Sequence, residues 1–390
     1  MVYAVPSSWA NYAGLQENID AFTEETDIKV EVQGIPDEQY DQNLRAKLAS
    51  GGGVDVFAGL NEEKSPGDFM VEITDPVFED RMPEAVFESM HAADGKLYSY
   101  PAADGLNTFG VFYNKAVFEA AGVTDAPQSL EELTEAFTAV KETGVTPLYL
   151  AGKDGWTLLQ HRNSVNADFL AGDEGLATEL ATNKTTWADV PGFADQYQVL
   201  ADWAKAGLTN ADILTAGYEQ STKAVAEGTA GAIINGSWVI GELRGANPEG
   251  EFGFFALPSS DGETQIALSQ PALMHIAKDS EQKENAEKLL QFLSEPAQVE
   301  NFLANNPGVP AFTDVEIAEP DPVLGDIQAY IDGGQSGAHF DNASRFPTPQ
   351  DDIIAAYQEL LAGRIDVTEF TSRYDSAWTN AGKTAGIEGF

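Results

Sequence analysis

The chain has 390 residues, 63 acidic against 21 basic, and a formal charge of −42. That balance argues against a nucleic-acid partner, because neutralising phosphates takes a basic surface. There is no cysteine, and His91, His161, His275 and His339 are far apart without an HExxH spacing, so disulfides, thiolate sites and zinc chemistry have no basis.

At 43% hydrophobic residues the chain can bury a large core, divided into two lobes or domains. It contains no run of about 18 apolar residues able to cross a membrane. The acids are spread along the chain, which reads as a solvated surface and is compatible with a salt-rich source. Met1-Val2-Tyr3-Ala4-Val5 already reads as a strand, so an export segment, where there is one, is expected ahead of it.

The first sixty residues alternate between two periods. Val2–Val5 reads as a strand. Leu15, Ile19 and Phe22 recur at helical spacing within Asn11–Thr26, and Ile28, Val30 and Val32 alternate as a strand does. Tyr40, Leu44 and Leu48 mark a second helix, stopped at Gly51-Gly52-Gly53, and Val54–Leu60 is a third strand. This order predicts a parallel sheet covered by helices, with ligands near the carboxyl ends of the strands. The three glycines lack the phosphate-loop pattern and precede a strand, so they read as a helix stop.

Further on, Leu97–Pro101 and Thr108–Tyr113 read as strands around a polar break at Ala102–Asn107. Ser129 and Glu132 form a capping box for a helix with Leu133, Phe137 and Val140 on its apolar face. Thr146–Leu150, Gly231–Trp238, Phe252–Leu257 and Ala272–Ala277 are strand candidates, the second running into a polar turn. A helical region reaching about Leu170 and the stretches Phe193–Ala206, Tyr218–Glu227, Ser280–Leu293, Pro349–Ala362 and Glu369–Trp378 are helix candidates, and Pro296 opens another helix. Asn306–Pro310 is a break. No internal repeat is present.

The stretch Asp94–Gly122 resembles the crossover segment of extracellular solute-binding proteins of sugar-importing ABC transporters, maltose-binding-protein-like family 1. Asp94, Gly95, Lys96, Tyr98, Pro101, Tyr113, Asn114, Lys115, Phe118, Ala121 and Gly122 carry the match. The blocks Ile234–Trp238, Tyr218-Glu219, Phe252–Gly262 and Ile276–Ser280 extend it over nearly the whole chain, closest in character to the multiple-sugar group. The resemblance implies an α/β, two-lobe periplasmic-binding-protein fold of type II, with lobes joined by hinge crossings and a ligand in the cleft between them. The expected lobes are 1–103 with 260–308, and 104–259 with 309–390. It also implies a non-enzymatic, monomeric receptor without cofactor that delivers an oligosaccharide to a permease. The implied location is extracellular or periplasmic, with a lipid anchor carried ahead of Met1.

A sugar offers hydroxyls around its rim and apolar faces above and below, so its site needs flat aromatic platforms and carboxylates or amides in the ring plane. Trp9, after the first strand, is either such a platform or an aromatic packed on the first helix. Asn61 and Glu62 follow the third strand, as hydroxyl binders or a solvated loop. Asp104 and Asn107 sit in the crossover, where Asp104-Gly105 also reads as a turn. Lys153, Asp154 and Trp156 resemble the family's KDGW block, with Trp156 at the cleft. Trp238 faces the cleft or the core, and Gln270 precedes a strand. His339, Phe340, Asp341 and Asn342 gather an imidazole, an aromatic, a carboxylate and an amide beside the Gly-rich stretch Gly333–Gly337, read as a ligand loop over a staple burying Phe340. Two other functions compete. A glycoside hydrolase needs a carboxylate pair about 5–10 Å apart, which acids this common do not single out. A receptor for another solute, such as glycerol phosphate or a polyamine, is the third reading; a phosphate would want Arg or Lys, and only Lys153 and Lys64 are near these candidates, so a neutral sugar is preferred.

Overall fold

The computed structural model describes the chain except residues 13, 38–39, 52, 61–64, 93, 104, 173–174 and 260–263. Asn61, Glu62 and Asp104 therefore lie outside the described residues. The chain divides into two compact units, Met1–Asn107 with Ser269–Pro320, and Thr108–Leu268 with Asp321–Phe390. The divisions differ from 103, 259 and 308 for local reasons. Leu106 bridges Val309, and Arg81 pairs with Asp314 at 2.7 Å, which keeps residues 309–320 with the first unit. The strand Ile266–Ser269 pairs with Ser336–Ala338 and so draws residues 266–268 into the second.

Strands are numbered in chain order: β1 Val2–Pro6, β2 Glu31–Ile35, β3 Val56–Ala58, β4 Tyr100–Pro101, β5 Asn107–Asn114, β6 Thr146–Leu148, β7 Ala230–Gly236, β8 Phe252–Phe255, β9 Ile266–Ser269, β10 Leu273–Ile276 and β11 Ser336–Ala338. The first unit's sheet has the order β2-β1-β3-β10-β4. β1 runs parallel to β2 and β3, as the strand–helix alternation requires, whereas β10 is antiparallel to β3 and to β4. The helix Leu15–Thr26 buries Leu15, Ile19 and Phe22, its apolar stripe, and ends at Asp27 in the left-handed region with φ 61°. Helices Lys283–Leu293 and Pro296–Asn305 add Leu289, Leu293 and Phe302 to the same core, and Pro296 stands in the first turn, where its missing N–H costs nothing.

The second unit's sheet has the order β11-β9-β5-β7-β6, with β8 also on β5. β7 is antiparallel to β5 and parallel to β6. Its core is dense in aromatics: Trp187, Phe193, Tyr197, Phe340, Phe370, Tyr374 and Trp378. The helix Leu130–Glu142 is capped by Ser129, whose Oγ accepts from the Glu132 amide at 3.1 Å. Glu132 reaches back to the Gln128 amide at 2.7 Å, one residue before the cap. The polar turn expected after β7 is present at Ser237-Trp238, and it leads into a helix, Val239–Ala246, with Trp238 at its N-cap.

The charge has a consequence for this fold. Carboxylates three times as numerous as cations repel one another most at low ionic strength, where the screening length is about 30 Å at 0.01 M against about 3 Å at 1 M. The melting temperature is expected to rise by on the order of 5 °C between those limits of KCl. Scanning calorimetry checks it, and an unchanged or falling melting temperature refutes it.

Candidate functional site

In the first unit, Trp9 opens a single 3-10 turn, Trp9–Asn11, directly after β1. Its ring stacks on Tyr12 at 6.3 Å with 21° between planes, and Tyr12 meets Phe302 edge-on at 6.2 Å. Both rings are only partly buried against the core, and with Tyr3, Met274 and Phe302 they border a small apolar cavity. Trp9 is thus at once a packed residue and one side of an aromatic surface. Gln270 accepts from the Ser89 hydroxyl at 3.1 Å, and Asn107 is half-buried at the start of β5.

In the second unit the loop after β6 and the starts of two helices bring aromatics together. Asp154 Oδ2 accepts from the Tyr218 amide at 2.7 Å and so caps the helix Tyr218–Ala226. Part of its accepting capacity is therefore structural. Lys153 is exposed. Trp156 is 38% exposed, high for so large an apolar ring. It meets Tyr218 edge-to-face at 4.8 Å and lies 6.3 Å from Trp238. Trp238 folds back over Gly236, where a Cβ would overlap its ring, and meets Phe109 edge-on at 5.9 Å. The INGSW block is built for this: Ser237 exchanges hydrogen bonds with Thr108, and Asn235 Oδ1 accepts from the Gly236 amide. Glycine is needed at 236 because a tryptophan occupies the space of its side chain. Sequence reasoning names Tyr218 only as part of a matching block, not as a site residue, and does not name Tyr12. Each lies in sequence beside a signal already read, Tyr218 at a helix start and Tyr12 three residues after Trp9.

The stretch 339–342 does not form an open loop. β11 ends at Ala338, and Phe340–Ser344 is a short helix. Phe340 is 1% exposed and packs on Trp187 at 4.9 Å and Trp378 at 5.9 Å, so it is core and offers no face to a sugar. Asp341 is held by Arg162 in a bidentate pair, Nη2 to Oδ1 at 2.6 Å and Nη1 to Oδ2 at 2.9 Å, and Thr348 donates to Oδ1 at 2.8 Å. Burial pushes its carboxyl up, but the Arg162 charge and hydrogen bonds more than offset this, leaving it at about 2. His339 tilts on Phe109 at 5.1 Å, and neither ring nitrogen has a hydrogen-bond partner among the described residues. Burial lowers it to about 4, so it is neutral at physiological pH. Asn342 is half-buried in the short helix. Of the residues named from sequence, the second unit thus gathers Asp154, Trp156 and Trp238 into one surface, places Phe340 in the core, and holds Asp341 in an ion pair with the buried Arg162.

Two α/β units, each with a central sheet and helices around it, and with the chain passing between them three times, define the two-lobe solute-receptor class. The bacterial extracellular solute-binding protein family matches residues 6–300, and the chain belongs to that family. It is similar to a multiple sugar-binding protein of Streptococcus mutans, 24% identical over 222 residues, which are 55% of this chain and 51% of that protein. The chain thus spans about half the length of the curated relatives it matches. Its fold is similar to that of a sugar transporter from Bacillus licheniformis in complex with stachyose, with TM-score 0.78, 22% identity, and 98% of this chain and 100% of that chain covered. It is also similar to a manno-oligosaccharide specific solute-binding protein from Bifidobacterium animalis subsp. lactis in complex with mannotriose, with TM-score 0.74, 18% identity and coverage of 98% and 94%. Among the described residues no helix is long and apolar enough to cross a membrane.

Proposed function

We propose that this protein is a receptor that binds an oligosaccharide outside the cell and hands it unaltered to the permease of an ABC transporter. In this reading it acts as a monomer held at the cell surface by a lipid anchor. The observation that carries it is the pair of aromatic surfaces, Trp9 with Tyr12 in the first unit and Trp156 with Tyr218 and Trp238 in the second. Family membership and the stachyose and mannotriose carried by proteins of the same fold support an oligosaccharide as the class of ligand. Stacking on a sugar's apolar face gives an exposed tryptophan a use that solvent does not.

Calorimetric titration with stachyose and with mannotriose tests this, and chromatography of the recovered sugar tests that it is unaltered. Trp156→Ala is the cleaner variant, because its ring is 38% exposed whereas Trp238 is folded over Gly236 and packed on Phe109. It is expected to weaken binding about tenfold, which corresponds to about 1.4 kcal/mol, with the unliganded melting temperature nearly constant. Trp238→Ala removes packing on Gly236 and Phe109 as well, so it should lower both affinity and stability. Wild-type affinity in Trp156→Ala would remove this surface from the ligand site.

A further inference from the structure

The small cavity beside Trp9 lies at the carboxyl edge of the first unit's sheet. Trp9 follows the end of β1, and Ala102 and Ala103, which also line the cavity, follow the end of β4. β10 is antiparallel to both β3 and β4, so β4 runs in the direction of β1 and β3, and both segments leave the sheet at the edge where α/β folds take ligands. The cavity measures about 30 Å³, room enough for a water-sized group. Of its lining residues only Trp9 and Tyr12 are half-buried, and the rest, Tyr3, Met274 and Phe302 among them, are buried. A group arriving from solvent therefore has to pass the two stacked rings. The polar side chains of the buried lining already have partners. The Tyr3 hydroxyl donates to Met274 Sδ at 2.9 Å, Asn18 Nδ2 donates to the Gln298 carbonyl at 2.8 Å, and Asn18 Oδ1 accepts from Asn301 Nδ2 at 2.9 Å. A buried water needs about two to four polar partners, so this space suits an apolar group of the same size, a methyl, better than water.

We propose that this cavity is a methyl pocket, and that the Trp9–Tyr12 surface selects a sugar residue whose substituent ends in a methyl group. This rests on the reading of that surface as a sugar site. The void leaves its lining without partner atoms on one side, and a methyl seated there restores those contacts while leaving water itself. A hydroxyl in the same place would be buried without a hydrogen-bond partner, so the pocket also works against a sugar that carries only hydroxyls. Acetamido sugars and 6-deoxy sugars both carry such a methyl, and an unsubstituted hexose carries none.

The test is calorimetric titration with two matched pairs of sugars, with stachyose and mannotriose run alongside. N,N′-diacetylchitobiose against cellobiose isolates the acetamido group, and L-fucose against L-galactose isolates the 6-deoxy methyl. Wild type is expected to bind the methyl-bearing member of one pair about fivefold more tightly, the usual worth of one methyl group taken out of water, and the pair that shows it identifies the source of the methyl. Ala102→Val fills the cavity from its wall and should shrink that preference to less than about twofold, with the unliganded melting temperature held or raised. Ala103→Val fills it from the neighbouring position and serves where the first variant does not fold. Equal affinity within both pairs, or a preference that survives the filling, overturns the methyl pocket and leaves sugar binding intact. Binding of stachyose or mannotriose with none of the four paired sugars bound has the same meaning. Failure of every sugar to bind sinks the reading of the surface as a sugar site and the pocket with it.

Discussion

Asp341→Ala is expected to destabilise the protein by about 3–5 kcal/mol, the usual cost of removing one partner of a buried ion pair. The Arg162 side chain is 1% exposed, and its guanidinium donates to both Asp341 oxygens and, from Nε, to the Tyr374 hydroxyl at 2.7 Å. Without the carboxylate that charge stays buried on the Phe340 ring, whose centroid lies 5.6 Å away, with only neutral partners. Replacing both residues with apolar ones should cost much less than the single change, because no unpaired charge remains. Urea unfolding of Asp341→Ala, Arg162→Met and the double variant measures the coupling. Unaltered stability with lost sugar binding would return Asp341 to the ligand site and overturn its assignment to a structural ion pair.

That assignment marks where sequence reasoning stops. Phe340 and Asp341 stand beside a glycine-rich stretch and look like loop residues, because what buries them is remote: Arg162 is 179 residues away from Asp341. Trp187 and Trp378, which enclose Phe340, lie 153 residues before it and 38 residues after it in the chain. No local period encodes such a contact. The parallel β1–β3 arrangement was legible because short strand–helix–strand connections allow little else, whereas β10 returns from the other unit and nothing nearby fixes its direction. β11, Ser336-Gly337-Ala338, has no alternation to read. The helix after Trp238 carries glycines at 241 and 245 within eight residues, which lowers its propensity, and it forms by burying Val239, Ile240 and Leu243. Of the aromatic surfaces, Trp156 and Trp238 were legible as large rings after polar turns. That both belong with Tyr218 depends on a carboxylate, Asp154, capping a helix 64 residues on.

Acid should unfold this protein well before its carboxylates are all protonated. His161, His275 and His339 are buried, and burial lowers them to about 3, about 4 and about 4 respectively. The unfolded chain binds these protons near pH 6.5, so the histidines favour the fold fully above that pH and oppose it increasingly below. At pH 5 each costs about 2 kcal/mol, or about 6 kcal/mol together. Glu242 works in the opposite sense. Its folded value, raised to about 7, lies above the unfolded one, so stability is regained as pH falls through 7, by about 2 kcal/mol at pH 5. The net expectation is a loss of about 4 kcal/mol between neutral pH and pH 5, followed by a further loss below about pH 4 as Asp341 leaves its ion pair. Urea unfolding at constant ionic strength across this range gives the slope directly. His339→Phe removes a ring whose nitrogens have no hydrogen-bond partner among the described residues and keeps an aromatic against Phe109, so it should flatten the histidine slope by about a third. Stability that stays level from neutral pH to pH 5 would mean that these three rings are hydrated in solution and titrate as they do in the unfolded chain.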